Sequence, residues 1–362
     1  MRASDYCTAV NAVSALLADA YFHTLDPVAI PLWGSLSVKW YGLAYAAGFV
    51  LGWLFIRWMA RSGRAPLTVE AAGDLMFYVI VGVLAGGRLG YAIFYQPSLF
   101  ITFYDHIPFW GLLAINEGGM ASHGGIIGVI LAVMLFARRN KVSSLHVLDL
   151  AALACTGGLF LGRVANFVNA ELWGRPLPAA MQTEPPWWSV KYPEEIARWL
   201  DDEHQELVVL LTLRLRDVPT VDASDFEQVV RRARQGEPEV IEALRPLLTA
   251  YYPSQLFQAV TDGPILAAAL ILVWLRPRKP GVVGAWFLIS YGVLRISTEF
   301  FRQPDEGIDV VLGLSRGQWL SVLMIGSGLV GLWVVARRAV EPMGGLRWFR
   351  RDRQGALPDG RG

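Results

Sequence analysis

The chain has 362 residues, 54% of them hydrophobic and 17% charged, with a mean hydropathy of +0.39. Soluble domains carry about 25% charged residues, so the composition excludes an ordinary soluble domain and predicts a membrane protein. The net charge of +1 gives no support to a nucleic-acid-binding function.

The first 39 residues are predicted to form an N-terminal segment on the outer face of the membrane. They contain no recognisable secretory signal, because the stretch Thr8 to Phe22 is interrupted by Asn11 and Asp19. We interpret that stretch as an interfacial helix or a disordered lead.

Seven apolar segments are long enough to cross a bilayer, which requires about 20 residues per helix. The chain is therefore predicted to be an all-α, polytopic protein with seven transmembrane helices. The predicted spans are residues 40–59, 72–95, 118–136, 147–168, 253–275, 281–300 and 317–336. Spans one to four make up a region of residues 40–176, and spans five to seven a region of residues 251–338.

Basic residues in the connectors predict the orientation. Three or more follow each of spans one, three, five and seven, whereas no Lys or Arg lies between Arg88 and Arg138. Because basic loops stay in the cytoplasm, the N-terminus is predicted outside and the C-terminus inside. The basic tail of residues 339–362 is then cytoplasmic.

Glycines recur at four-residue spacing in three spans, which favours close helix packing in lipid. They are Gly82, Gly86 and Gly90, then Gly124 and Gly128, then Gly158 and Gly162. Aromatic residues at span edges, such as Trp40, Trp173 and Trp319, are typical of an interfacial belt.

Residues 177–250 differ from the rest of the chain and are predicted to form a soluble insertion on the outer face. Of the 31 acidic residues in the chain, 14 lie in this stretch. Helical spacing from Glu227 to Leu248 predicts a small helical cap whose charges form a solvated surface.

Charged groups inside spans are costly, so each is a candidate functional residue. With the predicted orientation, they fall in the outer half of the membrane. Arginine binds phosphate bidentately and keeps its charge, so three arginines in one layer favour a phosphate site. The alternative is a set of structural ion pairs. The candidates are Arg88, His123, Arg163, Glu299 and Arg302, and the pairs would join Arg88 or Arg163 to Glu117, Glu171 or Glu299.

Several motifs together resemble the prolipoprotein diacylglyceryl transferase family. The most specific is the stretch Gly162 to Arg175, and the others occur in family order from about residue 30 to 338, apart from the insertion. They are Trp40-Tyr41-Gly42, Gly86-Gly87-Arg88-Leu89-Gly90-Tyr91, Gly118-Gly119-Met120, His123-Gly124-Gly125, Pro253-Ser254-Gln255-Leu256 and Glu299-Phe300-Phe301-Arg302-Gln303-Pro304-Asp305.

The chain departs from the family pattern at a few positions. Tyr252 stands where the family commonly has His, and Gln258 where it has Glu, so two titratable groups are lost. Ala165 and Ala170 replace glycines, and Glu117 replaces Asp. The insertion is also longer than usual.

The resemblance implies an enzyme of the bacterial inner membrane, with its active site toward the outer leaflet. Its substrates would be phosphatidylglycerol and the lipobox cysteine of a prolipoprotein signal peptide, and its products a thioether and glycerol phosphate. No metal or organic cofactor is expected. Thiolates are the reactive form of cysteine, and donors placed around the leaving phosphate would stabilise its charge.

The same resemblance suggests a role for each candidate residue. Arg163 and Arg302 are predicted to stabilise the leaving phosphate, and His123 to remove the thiol proton. The predicted substrate-binding residues are Tyr41, Arg88, Asn166, Asn169, Glu171, Glu299 and Gln303, with Glu171 orienting an arginine.

Two alternative functions compete with this interpretation. A transporter or flippase would be expected to show an internal repeat and polar groups near the midplane, and neither is seen in the sequence. A lipid-binding or lipid-translocating paralogue without transferase activity is supported by the changes at Tyr252 and Gln258.

Overall fold

The computed structural model describes residues 19–32, 37–105, 107–115, 118–199, 204–216, 218, 221–303 and 314–347. Glu117, Pro304, Asp305 and most of the stretch Thr8 to Phe22 lie outside these residues, as does the tail beyond 347. Tyr21 and Phe22 are described, and they form a strand rather than the end of an interfacial helix.

Helices occur at all seven predicted spans. They are α1 (Trp40–Arg61), α2 (Val69–Phe94), α3 (Ser122–Arg139), α4 (Ser144–Val168), α8 (Ser254–Val273), α9 (Val282–Glu299) and α10 (Arg316–Ala336). Within the described residues, six are long and apolar enough to cross a membrane, and α9 is the exception. Arg295 and Glu299 lower its hydropathy, so the seventh crossing stays a prediction.

The contacts between residues divide the chain into two units. The first comprises the described residues of Met1–Gly52, Cys155–Leu266 and Ile289–Gly326. The second comprises those of Trp53–Ala154, Ala267–Leu288 and Ser327–Gly362.

In the second unit, α2 begins after Thr68, whose side chain caps the helix by accepting a hydrogen bond from the Ala71 amide (3.1 Å).

In the same unit, α2 and α3 pack through glycines. A Cβ added to Gly86 would clash with the Gly124 carbonyl and lie 2.9 Å from Gly128 Cα. The helix backbones therefore touch, and the predicted glycine packing is confirmed for these residues.

The same prediction is only half right for α4. In the first unit Gly158 contacts Gly48 of α1, where an added Cβ on Gly48 would lie 2.9 Å from Gly158 Cα. Gly162 has open space around its Cα, so its role is not close packing.

In the first unit, α8 contains an irregular turn. Its residues Ser254–Val260 and Leu266–Val273 are α-helical, and Thr261–Ile265 form a π turn that includes Pro264. Proline lacks the amide hydrogen and clashes with the preceding turn, so the wider turn accommodates it.

The insertion, also in the first unit, folds around its own apolar core. Its helices are α5 (Gln205–Leu215), α6 (Phe226–Arg234) and α7 (Pro238–Leu244). Helices α6 and α7 confirm the helical spacing read from Glu227 to Leu248. Buried core residues include Trp199, Leu211, Val229 and Leu244.

A pair of short strands connects the N-terminal segment to this region: β1 (Tyr21–Phe22) pairs in parallel with β4 (Val190–Lys191). A second pair, β2 (Val28–Pro31) and β3 (Ser37–Lys39), is antiparallel and joins residues that are close along the chain. Phe22 completes the apolar core of the insertion.

Candidate functional site

The loop that follows α4 holds the predicted amides and carboxylate together. The side-chain amides of Asn166 and Asn169 donate to the two carboxylate oxygens of Glu171, at 3.2 and 3.3 Å. Ala170 and Leu172 have φ of +53° and +55°, a left-handed conformation that costs L-residues energy. The loop is therefore bent sharply around the Glu171 carboxylate.

Trp173 does not belong to an interfacial belt, contrary to the sequence prediction. It is 7% exposed, its indole donates to the Ala170 carbonyl at 2.6 Å, and its ring stacks on Tyr192 at 4.7 Å. The belt prediction failed because it used only position along the chain, whereas the loop turns this ring inward.

Arg163 is held by an acid that the sequence reasoning overlooked. Its Nε donates to the Asp262 carboxylate at 3.0 Å, and the Asp262 side chain is fully buried. Tyr291 of α9 also contacts the Arg163 side chain. Asp262 could have been found, since it is an acid inside a predicted span.

Glu299 pairs with a second overlooked residue, Arg295, one helical turn earlier in α9. Their side chains are 3.3 Å apart, and Glu299 also accepts a hydrogen bond from the Ser315 hydroxyl (2.9 Å). The Arg295 Nη1 atom is buried with no hydrogen-bond partner among the described residues. A buried N–H donor without an acceptor is costly, so this nitrogen is a candidate donor to a bound anion.

The end of α9 and the α4 loop are joined through their backbones. The Arg175 amide donates to the Phe301 carbonyl (2.9 Å), and the Gln303 amide to the Trp173 carbonyl (3.2 Å). A Cβ at Gly174 would clash with the Tyr252 carbonyl, so only glycine fits there. Arg302, partly buried, lies within this junction opposite Gly174.

Tyr41 lies in the same unit. The Tyr45 hydroxyl donates to the Tyr41 hydroxyl at 3.5 Å, and the two rings are in edge contact. Arg163 and Glu171 both lie within electrostatic range of Tyr45. The first unit thus holds eight of the predicted residues: Tyr41, Arg163, Asn166, Asn169, Glu171, Glu299, Arg302 and Gln303.

Arg88 belongs to the second unit and is 5% exposed. Its guanidinium donates to four backbone carbonyls, those of Gly111, Leu112, Gly118 and Gly119. These contacts fix the chain that leads into α3. The predicted role of Arg88 in substrate binding stays a prediction.

His123, also in the second unit, is the second residue of α3. It is exposed, and within the described part of the chain no hydrogen bond joins its imidazole to another residue. Its assignment as the base stays a prediction.

The two departures from the family pattern lie in the first unit. Tyr252 stacks on Trp188 (5.8 Å between ring centres) and contacts the Phe301 ring edge-on. Gln258 is 1% exposed, and its Nε2 has no hydrogen-bond partner among the described residues. Neighbouring Gln255 donates to the Glu171 carbonyl at 2.7 Å, which ties α8 to the α4 loop.

His23 was not singled out from the sequence, yet it supports the end of α4. It is fully buried, with Nε2 2.8 Å from the Phe167 carbonyl, to which it donates as the neutral ring. Burial away from water lowers the pKa of His23 from 6.5 to about 4.

Comparison with known proteins agrees with these features. The family model described as prolipoprotein diacylglyceryl transferase matches residues 27–334. Similar proteins, each described as phosphatidylglycerol–prolipoprotein diacylglyceryl transferase, come from Bdellovibrio bacteriovorus (42% identity, 88% of this chain and 95% of the relative), Rhodospirillum rubrum (36%, 88% and 94%) and Phenylobacterium zucineum (37%, 87% and 93%). Because the match covers the helices, the α4 loop and the α9 junction alike, the chain belongs to the prolipoprotein diacylglyceryl transferase family.

Proposed function

We propose that this chain transfers the diacylglyceryl group of phosphatidylglycerol to the lipobox cysteine of a prolipoprotein. The cysteine sulfur forms a bond to the glycerol carbon that carries the phosphate. The carbon–oxygen bond to the phosphate breaks, and glycerol phosphate leaves with the electron pair. The observation that carries this proposal is the ion pair between Arg163 and buried Asp262. Both residues lie in the region that the family model matches.

Arg163 and Arg302 stabilise the charge that develops on the leaving phosphate. The Asp262 carboxylate engages Nε of Arg163 and so orients the guanidinium before substrate arrives. Donors fixed in place in a water-poor site stabilise a developing charge without reorganising. Arg295 adds a third donor through its unpartnered Nη1, and Glu299 positions it.

The polar groups around the arginines orient the headgroup. Asn166, Asn169 and Tyr41 contact the glycerol hydroxyls, while Glu171 fixes the two amides rather than an arginine. Gln303 binds the headgroup at the edge of the site. Arg88 acts through the loop that its guanidinium holds, and His123 accepts the thiol proton.

The site faces the outer leaflet of a bacterial inner membrane in this proposal. The charge pattern of the connectors supports an outside N-terminus, an outside insertion and a cytoplasmic C-terminus. Seven crossings, with α9 as the sixth, are needed for that arrangement.

The test is transfer by the full chain in nanodiscs that contain phosphatidylglycerol. We expect a synthetic lipobox peptide to gain the mass of one diacylglyceryl unit, and a peptide with Ser in place of its cysteine to gain nothing. Movement or binding of lipid with no peptide modification, in folded protein, would instead identify a paralogue without transferase activity.

A further inference from the structure

Arg198, in the insertion, lies against the junction between the α4 loop and the end of α9. Its guanidinium carbon is 4.4 Å from the centre of the Trp173 ring, and its Nη1 donates to the Gln303 side chain at 3.4 Å. The two residues it contacts are joined to each other by the Gln303 amide and the Trp173 carbonyl. The insertion therefore contributes a cation beside predicted site residues.

The support for this side chain is rigid, although the arginine itself is exposed. Trp173 is buried and stacks on Tyr192 with 5° between the ring planes. The 3-10 helix that carries Arg198 (Pro193–Arg198) packs into the insertion through buried Ile196 and Glu195, and the Glu195 carboxylate accepts hydrogen bonds from Thr249. An arginine stacked on an aromatic face keeps its edge available to a planar or tetrahedral anion.

A second exposed arginine borders the same junction. Arg175 donates through Nε to the Arg302 carbonyl at 3.0 Å. Arg175 and Arg198 therefore both contact the junction at which Gly174 pairs with Arg302. Two arginine side chains thus border the predicted site residues Arg302 and Gln303.

We infer that Arg198 extends the substrate site as a phosphate-binding residue, supplied by the insertion. This inference rests on the proposed function, and the ligand chemistry is a phosphate ester of glycerol. Two molecules present that group, the intact phosphatidylglycerol headgroup and the released glycerol phosphate. The insertion is then part of substrate recognition and not only a solvated cap.

The test compares Arg198→Gln with Arg232→Gln in the full chain. Arg232 is a matched control, because it is a partly exposed arginine of the same insertion and its side chain lies 3.7 Å from the Glu237 carboxylate. Turnover is measured at increasing mole fractions of phosphatidylglycerol, and inhibition is measured with added glycerol phosphate. Thermal melting of each variant is recorded in the same nanodiscs.

We expect Arg198→Gln to raise the apparent KM for phosphatidylglycerol about tenfold, the loss typical of one charge-assisted hydrogen bond, while kcat changes by less than about threefold. Arg198→Lys should recover part of the affinity, because it keeps the charge but not the planar stack. Arg232→Gln should match the wild type.

The pattern of changes identifies the source of the phosphate. A rise in both KM and the inhibition constant for glycerol phosphate supports a site that holds headgroup and product. A rise in KM alone would assign Arg198 to the phosphatidylglycerol headgroup, and a rise in the inhibition constant alone would assign it to the released glycerol phosphate. A lower melting temperature with both constants unchanged would make Arg198 a structural contact and overturn the inference. Wild-type protein that binds glycerol phosphate but transfers nothing would refute the proposed function and leave the anion site standing.

Discussion

At the scale of single residues, the arginines test the proposed chemistry most directly. Arg163→Lys and Arg302→Lys are each expected to lower turnover by about 10²–10³, because an ammonium cannot reproduce a planar, bidentate grip on phosphate. Lysine can still pair with Asp262, so the Arg163 variant should fold.

Arg175→Lys is the matched control for these two variants. Arg175 is exposed and donates to a backbone carbonyl, which a lysine can also reach, so its turnover should stay within about threefold of the wild type. Purified variants with wild-type melting temperatures give the comparison. Near-full activity of both folded lysine variants at 163 and 302 would mean that the arginines are structural.

Ala170 shows how a sequence departure becomes a stability prediction. Its φ of +53° is unfavourable for alanine, so Ala170→Gly should stabilise the folded protein by about 0.5–1 kcal/mol. Ala165 is 3% exposed inside α4, where glycine should cost about 1 kcal/mol. The free energies of unfolding of the two variants, measured in detergent, should therefore change in opposite directions. A change of the same sign in both would contradict the assignment of strain to Ala170.

His23 makes the stability of the first unit depend on pH. The unfolded chain binds a proton at the ordinary pKa of 6.5, and the folded chain only at about 4. Stability is therefore complete above pH 6.5 and falls as the pH decreases toward 4, by about 3 kcal/mol in all.

The measurement is thermal melting of wild type and His23→Asn between pH 7.5 and 4.5. The variant should begin less stable and lose less on acidification, because Asn does not titrate. Equal losses in both proteins would place the acid sensitivity in other groups.

What the sequence could predict differs between these residues. Arg163 and Glu299 stood out because charge is rare inside apolar runs, but the same argument applied to Asp262 and Arg295. Asp262 pairs with Arg163 of another helix, whereas Arg295 pairs with Glu299 within α9. His23 gave no local signal. Its burial results from packing against Phe167 at the end of α4, 144 positions away, and against Tyr192 of the insertion.

At the scale of elements, the helices were predictable because bilayer thickness fixes their length and apolar content. Span one was predicted at residues 40–59 and is observed as α1, Trp40–Arg61. The irregular turn of α8 was not predicted, since Pro264 alone does not distinguish a kink from a π turn. Strand β1 of the N-terminal segment and strand β4 of the insertion also escaped prediction, because two-residue strands carry no periodicity.

Glycine packing between α2 and α3 provides the element-scale prediction. Gly86→Ala should lower the yield and melting temperature of folded protein, because the added methyl meets backbone atoms that cannot move aside. Gly73, in the same helix, has open space around its Cα, so Gly73→Ala should be neutral or slightly stabilising. Similar behaviour of the two variants would show that the helix contact is looser than described.

At the scale of the whole molecule, orientation is the prediction on which the proposed leaflet depends. Gly236 lies in an exposed turn between α6 and α7, so a reporter inserted after it should leave the fold intact. An enzyme that is active only outside the cytoplasm should work there and fail when fused after Arg338. A reporter active at the C-terminal position would reverse the arrangement and put the site in the inner leaflet.

The π turn of α8 has a consequence for how length changes are tolerated in this helix. A π turn is equivalent to one extra residue, and each residue rotates an α-helix by about 100°. In sequence numbering, the helical spacing before and after Thr261–Ile265 is therefore offset by one residue. Deleting one residue from the turn would restore a regular helix and leave the side chains on either side facing as they do now. Asp262, the partner of Arg163, lies inside this turn, so such a deletion should disturb the ion pair rather than the flanking helices.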